Sequence, residues 1–261
     1  RSARLPVCPR RQLRLKSVTR KSVFNMRFAP LRPLSIGGVS LKNNLALAPM
    51  AGITNAAFRI LAAEGGAGLV VTEMVSAESL KYGNKKSFRM LELLPGEHPA
   101  AIQVFGADPA SMALAAQAAG RAGADIVDIN AGCPVKKVMR SGAGAALMKT
   151  PLLLADIVSC MVKSVKIPVT VKFRIGLGPG ENLGPLLARI CEEAGAAAIT
   201  LHGRPASQFH SGPVNLEAMA ETAAAVKIPV FGNGGVESAS GARAMFAVGC
   251  SGVALGRAAV F

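Results

Sequence analysis

From residue 45 onward the sequence repeats one unit, a short apolar run followed by a longer Ala/Leu-rich stretch of helical period. Strand-length runs alternating with helical segments specify an α/β chain in which each helix carries the next strand back parallel to the last. The spacing predicts strands at 45–48, 68–73, 100–105, 125–129, 168–174, 197–202, 228–232 and 252–255. Helices are predicted near 54–64, 109–121, 151–164, 182–194, 215–225 and 238–247, and residues 74–99 read as a less regular excursion. Eight such strands favour a closed (β/α)8 TIM barrel over an open doubly wound sheet. Internal echoes agree: VKIPV stands at 165–169 and again at 226–230, each time closing a helix and opening a strand. That interval is two βα units of ~30 residues each. A second punctuation, Ala122-Gly123-Ala124, Ala194-Gly195-Ala196, Val248-Gly249-Cys250 and more loosely Gly66-Ala67-Gly68, precedes the even-numbered strands. Glycine there can take the left-handed conformation that ends a helix.

Charge is unevenly spread along this frame. The chain carries Lys+Arg 30 against Asp+Glu 15, a net +15. Residues 1–25 hold eight of those bases (Arg1, Arg4, Arg10, Arg11, Arg14, Lys16, Arg20, Lys21) and no acid, which leaves +7 on residues 26–261. Such a surplus suits polyanionic partners such as RNA. The tail reads as a nucleic-acid arm, as a transit peptide, or, the reading favoured, as sequence upstream of a start at Met26. Residues 1–33 are therefore expected to be a basic extension outside the fold, and 34–261 the barrel. Phe261 follows the eighth strand by a few residues, so the barrel is expected to be C-terminally incomplete, lacking its eighth helix and leaving strands 8 and 1 bare. No run of ~18 apolar residues occurs, which argues against a membrane-spanning helix. Cys8, Cys133, Cys160, Cys191 and Cys250 form no C-x-x-C pair, so a disulfide framework or zinc ribbon is not expected and a reducing, cytoplasmic setting fits.

The chemistry of a TIM barrel sits at the carboxyl ends of its strands. Here those ends read Pro49-Met50-Ala51-Gly52 after strand 1, Gln103 on strand 3, and Asp128-Ile129-Asn130-Ala131-Gly132-Cys133-Pro134 on strand 4. Lys172 and Arg174 follow on strand 5, His202-Gly203-Arg204 on strand 6, Gly232-Asn233-Gly234-Gly235 on strand 7 and Gly256-Arg257 on strand 8. Strand alternation puts Thr170, Lys172 and Arg174 on one face, Thr200 with His202, and Asp128 with Asn130. Asn233, Gly234, Gly235, Gly256 and Arg257 offer backbone N–H groups and a guanidinium where barrels commonly hold phosphate, or else make tight turns only. Gly176-Leu177-Gly178-Pro179-Gly180 fails as a dinucleotide fingerprint, because Glu181 stands where the third Gly is needed.

Cys133 is the sharpest single candidate. Cys160, Cys191 and Cys250, on helices or at a strand entry, read as small buried hydrophobes. Cys133 instead follows Asn130 in a Gly-Cys-Pro turn at a strand's carboxyl end. A thiol near ~8.5 is mostly protonated at neutral pH, which suits a proton donor, whereas a nucleophile needs special activation. His202 reads as structural or as a cofactor contact. His98, His202 and His210 have no carboxylate cluster beside them, so no metal is expected. Lys136, Lys137, Arg140 and Lys149 form either a solvated loop or a rim that contacts nucleic-acid phosphates.

The run Val127-Asp128-Ile129-Asn130-Ala131-Gly132-Cys133-Pro134, followed by Lys136-Lys137-Val138 and Gly144-Ala145, resembles the signature of the tRNA-dihydrouridine synthases, in particular their DusB-like branch. Ala48 to Asn55 (APMAGITN), Val171-Lys172-Phe173-Arg174, His202-Gly203-Arg204 and Gly232-Asn233-Gly234 are similar to the same family, in order from residue 34 to the end. The resemblance implies an FMN-dependent TIM-barrel oxidoreductase that reduces the uridine 5,6-double bond in tRNA, with NADPH as reductant. By that likeness Pro49, Met50, Ala51, Gln103, Lys172 and His202 would contact the flavin, and Asn233, Gly234, Gly235, Gly256 and Arg257 its phosphate. Cys133 would donate the proton, Asn130 would fix the base and Arg174 would assist. The chain departs from the family pattern at Gly235, usually acidic, at Pro205-Ala206, usually Thr-Arg, and at His210, usually aromatic. The family's C-terminal helical tRNA-binding domain is expected to be missing from residues 34–261, and a monomer is expected. Two other readings stay open: a flavin barrel acting on a free pyrimidine, and a non-catalytic RNA-binding barrel.

Overall fold

A computed structural model describes residues 31–260; the basic segment 1–25 lies outside them. The eight barrel strands are β3 (Leu45–Leu47), β4 (Leu69–Val71), β6 (Ala100–Phe105), β7 (Ile126–Ala131), β8 (Val169–Arg174), β9 (Ala198–His202), β10 (Val230–Asn233) and β11 (Gly252–Leu255). Each is parallel to its neighbours, and the pairings β4–β6 and β11–β3 close the ring. The longer helices between them are α1 (Ala56–Glu64), α4 (Pro109–Arg121), α6 (Pro151–Ser164), α7 (Gly184–Glu193), α8 (Leu216–Ala224) and α9 (Ala239–Ala247), and a short α5 (Lys136–Arg140) follows β7. All eight strands and six helices stand where the sequence spacing put them, to within a few residues at their ends.

Local chemistry explains these boundaries. Asn55, Asp108, Asn215 and Ser238 each cap a helix by accepting from a backbone N–H in its first turn, and Pro109 supplies the preset φ of a helix start. Gly66, Gly123, Gly195 and Gly249 all have left-handed φ, between 88° and 105°, just past a helix and just before β4, β7, β9 and β11.

Three features depart from the sequence expectation. A hairpin of β1 (Leu34–Ile36) and β2 (Val39–Leu41) turns through Gly37-Gly38 and drives Ile36 and Leu41 into the amino end of the barrel. Its position is fixed by contact: a Cβ on Gly37 would stand 2.7 Å from Pro168, at the entrance of β8. Second, strands β11 and β3 are not bare. Leu45, Leu47, Val253 and Leu255 are at most 1% exposed, sharing one apolar cluster with Ala62 of α1 and Ala242 and Met245 of α9. Third, Cys160 is exposed on α6, whereas Cys191 and Cys250 are buried. The excursion is ordered. It holds β5 (Val75–Ser76), which extends the sheet beside β6, then α2 (Ala77–Lys81) and α3 (Lys85–Arg89). The buried Arg59–Glu97 ion pair ties its far end back to α1.

Strand register stacks the inward side chains in rows. Gln103 lies beside Asp128 and Asp128 beside Thr170. One layer higher, Asn130, Lys172 and Thr200 are neighbours, and Arg174, His202 and Asn233 form the top row. Val169, Val171 and Phe173 face the helices, at most 2% exposed. No helix among the described residues is long and apolar enough to cross a membrane.

Candidate active site

A cavity of about 650 Å³ opens at the carboxyl end of the barrel. All fourteen residues singled out from the sequence line it: Pro49, Met50, Ala51, Gln103, Asn130, Cys133, Lys172, Arg174, His202, Asn233, Gly234, Gly235, Gly256 and Arg257. Its size falls within the range common for sites that enclose a small molecule. Among the described residues no group of three or more His, Cys, Asp and Glu is placed to hold a metal ion.

The half-buried Cys133 sits at the cavity wall, in a turn held from two sides. Asn130 Oδ1 accepts from the Cys133 N–H at 2.9 Å and from the Gly132 N–H at 3.2 Å. On the other side the Cys133 carbonyl accepts from Ala145 N at 3.0 Å. Gly144, with φ +61°, lets that segment approach; a Cβ there would stand 2.8 Å from the Cys133 carbonyl oxygen.

Deeper in the barrel, Asp128 accepts from Gln103 Nε2 at 2.7 Å and from Thr170 Oγ1 at 2.6 Å. Burial pushes its carboxyl up, and those two hydrogen bonds pull it back in part. Lys172 makes no hydrogen bond to any described residue, so its ammonium is free to meet a ligand in the cavity. Burial lowers it to about 8, with the Arg174 charge acting in the same sense and Asp128 opposing. His202 is pushed down by burial and then by Lys172, Arg174, Arg204 and His210, so its imidazole is neutral near pH 7.

Arg174 is only 3% exposed, and its guanidinium is occupied by carbonyls: Nε donates to Gly132 at 3.0 Å, and one terminal nitrogen to Phe209 at 2.8 Å and Pro205 at 3.2 Å. It ties the loop after β9 to the Cys133 turn. Arg257 is exposed and donates to the His210 carbonyl at 3.4 Å. Asn233 gives its amide to the Ala254 carbonyl at 2.8 Å, which locks the end of β10 to β11. Beyond it, Gly234 and Gly235 turn with φ +103° and +65°, and a Cβ on Gly234 would stand 2.7 Å from His202 Nε2.

Sequence reasoning passed over several lining residues. Arg204 stands in the noted His-Gly-Arg run, donates to the Gly212 carbonyl at 2.9 Å and lies 3.5 Å from His202 Nε2. Phe209 has φ +52°, the one non-glycine residue with positive φ among those described, and no sequence signal marks it. Met74 enters from the excursion, 3.4 Å from the Asn130 amide nitrogen, and its place depends on tertiary packing.

A model of the family described as dihydrouridine synthase (Dus) matches residues 46–260. The chain is 41% identical over 226 residues to tRNA-dihydrouridine synthase B of Pseudomonas putida, covering 86% of this chain and 67% of that protein. It is 39% identical over 228 residues to the probable tRNA-dihydrouridine synthase of Rickettsia bellii, covering 87% and 70%. The chain thus spans about two thirds of these relatives' length. Among solved structures, TcOYE with pHBA superposes at a TM-score of 0.67 with 13% identity, over 87% of this chain and 88% of that one. A variant of NCR from Zymomonas mobilis superposes at 0.62 with 17% identity, over 88% and 86%. These last two likenesses concern the barrel fold alone. With a family model matched across nearly the whole barrel and relatives near 40% identity, the chain belongs to the dihydrouridine synthase family.

Proposed function

We propose that this chain is the catalytic barrel of an FMN-dependent tRNA-dihydrouridine synthase, reducing the 5,6-double bond of uridine with NADPH as the source of hydride. The observation that carries the reading is the meeting, in one cavity, of the Cys133 thiol and a Lys172 ammonium that makes no hydrogen bond among the described residues. The residues fit a flavin mononucleotide. Pro49, Met50 and Ala51 give a largely apolar wall for a flat ring, and the Gly234-Gly235 turn brings bare backbone to the cavity, where a Cβ on Gly234 would collide with His202. Arg204 and Arg257 add positive charge on that side, which suits a phosphate. Bound there, FMN would supply the hydride that enters one carbon of the uracil double bond.

The protein's own part is to place groups and move one proton. Lys172 would neutralise negative charge that builds on the ring, and the neutral His202 would contact the cofactor without adding a second positive charge. Asn130 would hold the base. The Cys133 thiol would give its proton to the second carbon, so that hydride and proton together saturate the bond. A base stacked inside tRNA cannot reach the bottom of a barrel mouth, so the target nucleotide must swing out of its stack. Exposed Lys136, Lys137, Arg140 and Lys149, on or near the loop that carries Cys133, would meet the flanking phosphates.

The test is to incubate the protein with FMN, NADPH and unmodified tRNA and to map dihydrouridine nucleotide by nucleotide. Cys133→Ala is expected to lower the rate by about 100-fold or more, the usual worth of a positioned proton donor. Wild-type modification by that variant would remove Cys133 from the mechanism.

A further inference from the structure

Below the cavity floor runs a chain of hydrogen bonds with a direction. Thr170 Oγ1 and Gln103 Nε2 donate to the two oxygens of Asp128. Gln103 Oε1 accepts from Asn130 Nδ2 at 2.9 Å, and Asn130 Oδ1 accepts from the N–H groups of Cys133 and Gly132. A Gln or Asn amide turned end for end keeps its shape, so packing alone does not decide which atom faces which neighbour. The ends of this chain do decide. A carboxylate only accepts and a backbone N–H only donates, so both ends demand the same sense of the two amides between them.

We propose that Asp128 is a positioning residue: its carboxylate locks the orientation of Gln103 and Asn130 and, through Asn130, holds the turn that carries Cys133. Asp128 is 4% exposed and acts only through its neighbours. Gln103 and Asn130, by contrast, both line the cavity. The strand register makes the arrangement, since Gln103, Asp128 and Thr170 are direct lateral partners on β6, β7 and β8. Each amide therefore commits both its nitrogen and its oxygen to the relay in one fixed sense, which sets what each can still offer to the cavity. An end group that can both donate and accept removes that constraint. Gln103 could then reverse, and Asn130 would have to choose between Gln103 and the Cys133 turn. The catalytic consequence rests on Cys133 being the proton donor; the coupling of Asp128 to the turn does not.

Asp128→Asn keeps the size and supplies such an end group. In the free protein, with neither FMN nor RNA, alkylation of Cys133 followed by mass spectrometry is expected to speed up about threefold or more as the turn loosens. In the same variant kcat should fall about tenfold, with the KM for tRNA within about twofold, the pattern of lost positioning. The double variant Asp128→Asn/Gln103→Glu restores the sense at Asn130, because the new carboxylate again accepts from Asn130 Nδ2. Its Cys133 alkylation is expected to return to within about twofold of wild type. Unchanged alkylation in Asp128→Asn, or no return in the double variant, overturns the proposal. If Asp128→Asn does not fold, the wild-type protein still decides: the side-chain amides of Gln103 and Asn130 should exchange their hydrogens slowly by NMR, and exchange at the rate of an exposed amide overturns it. Activity retained by Cys133→Ala would sink the proposed reaction and leave the alkylation and exchange results standing.

Discussion

Lys172 shows how a single side chain that lines the cavity can be costly to the fold. Its ammonium lies inside the barrel without a hydrogen bond among the described residues, and burial brings it from 10.5 to about 8. Below pH 8 the group is charged in both folded and unfolded chains, so the cost of burying the charge is borne in full. Between pH 8 and 10.5 the folded protein has released the proton and the unfolded chain has not, so the cost fades as pH rises. Lys172→Met should therefore raise the denaturant midpoint of the cofactor-free protein at pH 7, by about 1–3 kcal/mol in stability, with the advantage shrinking above pH 8. The same variant should bind FMN at least about tenfold more weakly in a fluorescence titration. A gain of affinity would mean that the charge serves something other than an anionic ligand. Gly144 is the second residue of this kind. Gly144→Ala forces a Cβ to within 2.8 Å of both the Cys133 carbonyl oxygen and Val138 Cγ1 at a left-handed φ. It should cost about 1–3 kcal/mol and lower kcat more than it raises KM, because the strain is relieved by moving the thiol. Cys133 and Lys172 were legible from their place at strand ends. Phe209 was not, since its positive φ is imposed by a loop that Arg174 holds through the Phe209 and Pro205 carbonyls.

At the scale of elements, the excursion between β4 and β6 has little regular secondary structure, so a few contacts decide where it sits. Arg59 of α1 bridges to Glu97 through two nitrogens and also donates to the Thr54 and Glu92 carbonyls. Glu97 is fully buried, and its Oε1 accepts from Leu94 N at 3.0 Å. One ion pair thus connects α1, the loop that carries Met50 to Asn55, and the turn that leads into β6. Glu97→Ala leaves a buried guanidinium without its counter-charge and should cost about 3–5 kcal/mol, seen as a drop of roughly 10 °C in Tm. A loss under about 1 kcal/mol would show that water replaces the carboxylate. Sequence periodicity could place helices and strands because each carries its own pattern of apolar residues. It could not place Arg59 and Glu97 together, for their pairing crosses 38 positions with no periodic signal.

Over the whole molecule the net charge of +15 is the property most readily tested. A protein that neutralises RNA phosphates releases their counterions, so affinity falls linearly on a log–log plot against salt. Replacing exposed Lys136 and Lys137 with Ala should flatten that slope by about 1 per lysine while leaving FMN binding unchanged. An unchanged slope would move the RNA contact elsewhere on the surface. The barrel itself supplies the geometry: eight parallel strands end on one rim, so residues as far apart as Pro49 and Arg257 meet in one cavity.

The sequence by itself determined the eightfold alternation, the helix ends at Gly66, Gly123, Gly195 and Gly249, and the list of residues that had to face one mouth. Those follow from local rules, namely period, capping and the alternation of side chains along a strand. Only the tertiary structure decided that the β1–β2 hairpin closes the amino end, that the outer faces of β11 and β3 are buried, and that Asp128 reaches Cys133 through two amides. These depend on strand register and on packing between segments far apart in the chain, and no local window of residues contains that information.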